Sequence, residues 1–498
     1  MERLRADVLV LGAGLAGLRA ALSCLRAAPG LDVLVVSLTG GPSGSSFANR
    51  NDALGVHVCL NDAEREAFVA EVAALNRGAL LDPALTAIMA QEGEARLREL
   101  DALGLPFVRD DSGGLLDHPS CFSPHSRRAF LFRGLAQAHR RFRAALEALG
   151  CRFLGGHAVA RIEMDRREAL PRACGALLLP ARPGASPAPR RAASRPDAPC
   201  AQATSPLAVE ARAVVTALGG PARLFARTIA GPGVPGFGHV LLGMAGARLA
   251  NQGYLQFLWG ALPGGRFWSP AELGSGGWRI MPPLLDDAMA GFDPSEGVPV
   301  EELLPDLARL AGERAGHCPC AHGLPDAALD LELVRAMDAD GSVLLLTPGS
   351  SPLAVALMAH ASNGGALIDR DGGTGVLGLF ACGECATGMH GSNRIGGAMV
   401  LATQVFGHRA GEAAARFSRD VPEGLASRGS QDFQEDAEER SRGLAWLGRG
   451  LTRHAAPMAL AGAKGFAADI RRLDTARDWR LRLSLQAALG VLSGQGVV

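Results

Sequence analysis

A strand that runs directly into Gly-x-Gly-x-x-Gly leaves a chain few folds to choose from. Here "ADVLVLGAGLAGLRAALSCL" is an apolar strand that stops at Gly12, Gly14 and Gly17 and continues as an amphipathic helix, and "LDVLVVSL" follows as a second buried strand. The first glycine permits the tight turn, the second lets a pyrophosphate approach the main chain, and the third lets helix and strand pack closely. This is the βαβ opening of a dinucleotide-binding α/β fold. The carboxylate that usually ends the second strand and takes a ribose hydroxyl is replaced by Ser37, a weaker partner for the same group. A flavin dinucleotide therefore fits better than a nicotinamide one.

A chain of 498 residues exceeds one compact core, so further domains are expected. Residues 1–235 read as the first part of the dinucleotide domain. Within them, 181–206 is nearly all Ala, Pro, Arg and Ser and reads as a disordered insertion. Residues 236–354 have their own mixed pattern and read as an inserted domain, 355–420 return to the first domain, and 433–498 form a small helical one. The formal net charge is zero, with no long basic run, which removes the electrostatic case for nucleic acid. The apolar N-terminal run is broken by three glycines and Arg19 and does not make a signal peptide. No run of about 18 apolar residues exists, so no membrane span is expected. Ten cysteines without an export signal are expected as reduced thiols in a cytoplasmic protein.

Two stretches carry chemistry-bearing residues. "ACGECATGMHGSNRIGG", residues 381–397, holds Cys382 and Cys385 at C-x-x-C spacing. They read either as packing thiols or as a redox dithiol, the latter normally needing its own helix start. "HCPCAH", residues 317–322, offers His317, Cys318, Cys320 and His322. C-x-C is tighter than structural zinc sites prefer, so a loop is expected there rather than a metal, and no metal is expected elsewhere.

Along nearly its whole length the chain resembles the flavoprotein family of L-aspartate oxidase and the fumarate reductase and succinate dehydrogenase flavoprotein subunits. The resemblance rests on "VLGAGLAGLRAA", "GSSFANR", "PHSRRA", "VVTALGGPARLF", "GYLQF", "MAHASNGGALID" and "GLFACGECATGMHGSNRIGGAMVLATQVFGHRAG". It implies an α/β architecture: a Rossmann-like FAD-binding domain, an inserted α+β capping domain and a small C-terminal helical domain. It also implies FAD, held noncovalently because "GSSFA" lacks the His through which membrane-complex members attach it. The implied cofactor contacts are Gly12, Gly14, Gly17, Ser37, Gly44, Ser45, Ser46, Gly219, Gly220, Glu384, His390, Asn393, Gly396 and Gly397.

For chemistry, the resemblance assigns Arg394 to a substrate carboxylate and His360 and Gln256 to the substrate's surroundings. The departures cluster. The family's Q-F-H-P-T reads "QFLWG", putting Leu258 at its His, and Leu258 with Trp259 should make the pocket more apolar. Val300 aligns with the catalytic Arg of the cap, leaving Arg279 as the leading substitute, and Phe122 stands at an acidic position. Two readings follow: an oxidoreductase passing a hydride between a small carboxylate and the flavin, or an FAD-holding subunit serving an electron-transfer partner protein.

Overall fold

A computed structural model of the chain describes residues 2–167, 170–181, 206–233, 235–281, 297–338, 341–346, 352–421, 433–455 and 462–496. The expected insertion at 181–206 lies almost wholly outside them.

The first strand, Glu2–Leu11, pairs in parallel with Val33–Val36 on one side and Leu207–Thr216 on the other. Arg152–Leu154 extends the parallel set beyond Val33–Val36, and Leu379–Ala381 extends it beyond Leu207–Thr216. The antiparallel strands His157–Asp165 and Arg172–Pro180 join through the early residues of Leu207–Thr216. All four residues of Val33–Val36 are buried, as a strand covered on both faces requires.

Two helices cover one face, Leu15–Ala27 and Ala398–Asp420. They touch main chain to main chain because Gly407 and Gly411 stand one turn apart. A Cβ at Gly411 would come within 2.1 Å of the Ala20 carbonyl oxygen. A three-stranded antiparallel sheet of Ala53–His57, Asp117–Ser120 and Ser123–Arg133 packs nearby.

A second, six-stranded antiparallel sheet runs in the order 266–267, 255–261, 353–362, 342–346, 279–280, 298–299. The sequence boundary at 354 therefore falls inside a strand, Leu353–Ser362, and the sheet continues to Ser362. Its core of Phe257, Trp259, Leu333, Leu345 and Leu357 is shared with Leu447, Leu451, Phe466 and Leu485 of the C-terminal helices. The tail thus completes the second core rather than owning one. Among the described residues no helix is long and apolar enough to cross a membrane.

The strand Leu255–Ala261 divides its side chains between that core and a cleft. Successive side chains point to opposite faces, so Leu255, Phe257 and Trp259 enter the second core while Gln256 and Leu258 face the cleft between the two sheets. Trp259 is fully buried and donates its indole N–H to Asp330 at 2.9 Å. Of the two apolar residues expected in the pocket, only Leu258 is there.

Candidate functional site

The cleft has a volume of about 460 Å3. One wall is main chain. Gly12 adopts φ +113°, and a Cβ there would lie 2.2 Å from the Ala217 oxygen; a Cβ on Gly17 would lie 1.9 Å from the Gly12 oxygen. Gly14 precedes the helix Leu15–Ala27 without a side-chain cap of its own. Ser46 Oγ accepts the Leu15 N–H at 3.1 Å, and Ser43, Gly44 and Ser45 continue this wall. Ser37 lines it too, its hydroxyl accepting the Gly40 N–H at 3.2 Å.

At the far end Gly397, at φ +79°, opens the long helix Ala398–Asp420 with no side-chain cap. The Gly396 N–H donates to the Cys121 carbonyl at 2.9 Å. Gly219 and Gly220 lie between, against Glu384. The Glu384 carboxylate accepts the Ser362 N–H at 2.8 Å. Burial raises its pKa, opposed by the Ser362 N–H, by Arg394 and by the Gly220 N–H.

These surroundings fit a dinucleotide. Gly12, Gly14, Gly219, Gly220, Gly396 and Gly397 leave main chain open to the cleft, and two helix N-termini without side-chain caps of their own open on it, where N–H groups and helix dipoles favour phosphate and carbonyl oxygens.

Arg394 projects from the same loop into the cleft. Its guanidinium donates to Gln256 Oε1, and Gln256 Nε2 donates back to the Arg394 carbonyl at 2.9 Å. Gln256 thus grips Arg394 at both ends. Arg394 Nε is buried with no hydrogen-bond partner. Burial pushes the Arg394 pKa down to about 10, against the nearby Glu384 and Cys121, which raise it, so it remains a cation at neutral pH. His360 stands beside it on the cleft wall; burial, then the charge of Arg394, pushes its pKa to about 3. It is a neutral imidazole. Leu258 joins Ile229, Ala356 and Met358 in a small apolar cluster.

Several expected residues are elsewhere. Arg279 belongs to the strand Arg279–Ile280 and is not among the residues lining the cleft. His390 is buried behind the loop and does not reach the cleft either. Asn393 is spent on loop order: its amide donates to Leu75 and His322 carbonyls and its oxygen accepts the His322 N–H. Gly17 packs helix on strand rather than lining the cleft. Val300 is in the second core, and the Phe122 ring stacks on His317 at 3.9 Å between centroids. Cys382 and Cys385 are buried, Cys385 taking the Leu218 N–H at 3.2 Å. Burial raises both thiol pKa values, which suits packing thiols.

The "HCPCAH" side chains diverge. His317 bonds Asp326 and the Pro319 carbonyl, His322 bonds the Leu255 carbonyl, and Cys320 is buried. Among the described residues no three His, Cys, Asp or Glu side chains are grouped to hold a metal.

Sequence reasoning missed Arg223 and His157, which also line the cleft. Arg223 is exposed there, and its pKa is lowered by partial burial and then by its like-charged neighbour Arg50. Its signal was present, directly after the glycine pair in "LGGPAR". His157, on a strand without a motif, had none.

Comparison with known proteins bears on this cleft. The model of the FAD binding domain family matches residues 7–281 and 308–400. The L-aspartate oxidase of Caulobacter vibrioides is 30% identical over 425 residues, covering 82% of this chain and 75% of its own. A fumarate reductase (CoM/CoB) subunit of Methanothermobacter marburgensis is 27% identical over 431 residues, covering 83% and 73%. Among solved structures, the apo Sdh1 complex of Mycobacterium smegmatis superposes with a TM-score of 0.68 at 20% identity, over 100% of this chain and 86% of that one. At that identity the superposition speaks for the fold alone.

Proposed function

The chain belongs to the FAD-binding flavoprotein family that includes L-aspartate oxidases and fumarate reductase flavoprotein subunits, and from that premise we propose a cytoplasmic oxidoreductase, with noncovalent FAD, that acts on a small carboxylate. When bound, FAD supplies a two-electron acceptor or donor at N5. Gly12, Gly14, Ser45 and Ser46 would hold its phosphates, Ser37 a ribose hydroxyl, and Gly219, Gly220 and Glu384 its middle. The helix that Gly397 opens would face the ring's carbonyl end.

One observation carries the reading. Arg394 is a buried cation in the cofactor's own cleft, gripped by Gln256, yet with Nε unsatisfied. A buried, partly unsatisfied guanidinium is unfavourable, and a planar carboxylate satisfies it with charge-assisted hydrogen bonds. Gln256 fixes the guanidinium plane, which is what orienting a substrate demands. His360 is neutral, so it orients by hydrogen bonding and adds no charge. Arg223 supplies a second cation, and an anion near Arg223 and Arg50 relieves their mutual repulsion. Leu258 and Ile229 favour a substrate with an apolar portion. No residue is assigned as the general base.

A second reading draws on Leu258 and Val300. Both stand where the resembled family carries polar groups, and Val300 is buried in the second core. Loss of both suits an FAD-holding subunit that passes electrons to a partner protein.

Anaerobic absorbance titration separates the two. L-aspartate or succinate should bleach the bound flavin, or fumarate should reoxidise the reduced protein. A yellow flavin untouched by all three removes these acids as substrates and leaves the subunit reading.

A further inference from the structure

Among the cleft-lining residues without a part in that chemistry are two thiols outside the glycine-rich loop. Cys121 sits in the turn between Asp117–Ser120 and Ser123–Arg133; Cys318 follows the helix Leu307–Arg314 in the "HCPCAH" loop. Of the nine described cysteines these two alone are not buried.

Their neighbours hold them in register. The Phe122 N–H donates to the Gly316 carbonyl at 3.1 Å. The Phe122 ring lies on the His317 ring with an interplanar angle of 17°. On its other side the Cys121 carbonyl takes the Gly396 N–H. These anchors bring the Cys121 turn against the Cys318 loop, and both cysteines line the same cleft.

We propose that Cys121 and Cys318 are a redox-active thiol pair in the cleft wall, oxidised to a disulfide by a low-molecular-weight disulfide. The two sulfurs are unequal. The nearness of Cys318, with the nearby His317 and Arg394, favours the Cys121 thiolate over burial, whereas the nearness of Cys121 and burial oppose ionisation of Cys318. Every other described cysteine with a shift moves up, with burial the largest cause. Cys121 is thus the attacking thiol and Cys318 the resolving one.

In the first step the Cys121 thiolate attacks one sulfur of RS–SR, forming a mixed disulfide and releasing RS⁻. In the second, Cys318 loses its proton to solvent and attacks the Cys121 sulfur, forming the Cys121–Cys318 bond and releasing a second RS⁻. Two protein thiols lose two electrons and the small disulfide becomes two thiols. The new bond ties the turn that supports Gly396 to the loop beneath the second sheet, across one wall of the cleft.

The test uses the full-length, flavin-loaded protein with glutathione disulfide, acid quenching, alkylation of remaining thiols and peptide mass mapping. The expected product is a linked peptide pair containing Cys121 and Cys318. Cys318→Ser should stop at a glutathione adduct on Cys121. In Cys121→Ser, Cys318 should react at least about tenfold more slowly than Cys121 does in Cys318→Ser. The wild-type linkage needs no variant to fold. A link elsewhere, stable adducts without a link, or equal reactivity of both cysteines overturns the proposal.

Discussion

The two walls of the cleft are built on different principles. The wall carrying Gly12, Gly14, Gly219, Gly220, Gly396 and Gly397 presents main chain, shaped above all by Gly12, Gly396 and Gly397, where a Cβ would run into backbone. The facing wall presents side chains from two antiparallel strands: Gln256, Leu258 and His360. Main chain recognises what every sequence can offer, N–H groups and helix ends, so such a wall changes only when glycines do. A side-chain wall changes with each substitution while the strands beneath stay in place. The difference teaches why one fold keeps a cofactor and varies a substrate.

The most damaging way to test that contrast is to add one methyl behind the first wall, where its helix packs on its strand. Gly17→Ala puts a Cβ 1.9 Å from the Gly12 oxygen, a clash with backbone that no rotamer relieves. The expected loss exceeds about 4 kcal/mol, the exceptional end of single substitutions. The purified protein should be colourless, and retention of stoichiometric flavin at unchanged melting temperature would show that the helix is not packed this closely.

Next in size is Arg394→Gln, on the loop where the walls meet. The guanidinium goes and the glycines stay, so flavin content should hold. Reduction by any carboxylate that bleaches the flavin should slow by on the order of 10²–10³-fold in kcat/KM, as for loss of one preorganised charged donor. Stopped-flow reduction of wild type and variant gives the ratio. A change under threefold removes Arg394 from substrate binding.

How much of this was legible tracks the same division. Gly12, Gly14 and Gly17 announced strand, turn and helix, and at Gly12 and Gly17 a Cβ would run into backbone. Of the second glycine-rich loop, Glu384, Arg394, Gly396 and Gly397 line the cleft, whereas His390 and Asn393 do not. The side-chain wall was half readable: Gln256, His360 and Arg394 do meet in the cleft. Trp259 was misplaced because apolarity alone does not reveal which face of a strand a residue takes; alternation from the inward Phe257 would have placed it. Arg279 failed because nearness in sequence says nothing of direction across an antiparallel sheet. The boundary at 354 failed because the Val/Ala/Leu-rich strand Leu353–Ser362 serves the second sheet while its end adjoins the cofactor loop. Cys121 and Cys318 lie 197 positions apart, and no local pattern joins them.

Acid should weaken the first core. Burial, with Arg128 next, lowers His57 to about 3; burial, with Arg143 and Arg140 next, lowers His139 to about 4; both lie in the first core. The unfolded histidines titrate near 6.5, so between these values the unfolded chain binds the extra protons. Stability is therefore complete above about pH 6.5 and falls as pH drops toward 4. Each residue accounts for up to about 2 kcal/mol at pH 5. Chemical denaturation at pH 7.5 and 5 measures the sum, and equal stability at the two values contradicts neutral burial.

A gentler perturbation concerns only the grip on Arg394. Gln256→Leu keeps the size and removes both hydrogen bonds. If Gln256 acts by positioning, kcat should fall about tenfold, roughly 1.4 kcal/mol, with KM little changed. Gln256→Asn should restore none of it, being one methylene too short. A rise in KM alone makes it a binding contact instead.

The smallest expected effect is also the one that decides between the readings. Leu258→His returns the group that the resembled family carries at this position, on a side chain that already faces the cleft and packs against Met358 and Ile229. Removing Leu from that cluster destabilises modestly, about 1–2 kcal/mol, because the new imidazole keeps most of the volume and can reach the cleft with its polar edge. If the side-chain wall alone was altered while the rest of the machinery stayed, a dicarboxylate should then reduce the flavin several-fold faster, read in the same anaerobic titration. If Leu258 is instead part of a surface that serves a partner protein, the histidine should leave the flavin's response to every dicarboxylate unchanged. A gain means that one wall drifted while the active site persisted. No gain, with the flavin still bound, means that substitution of the side-chain wall went with loss of the reaction itself.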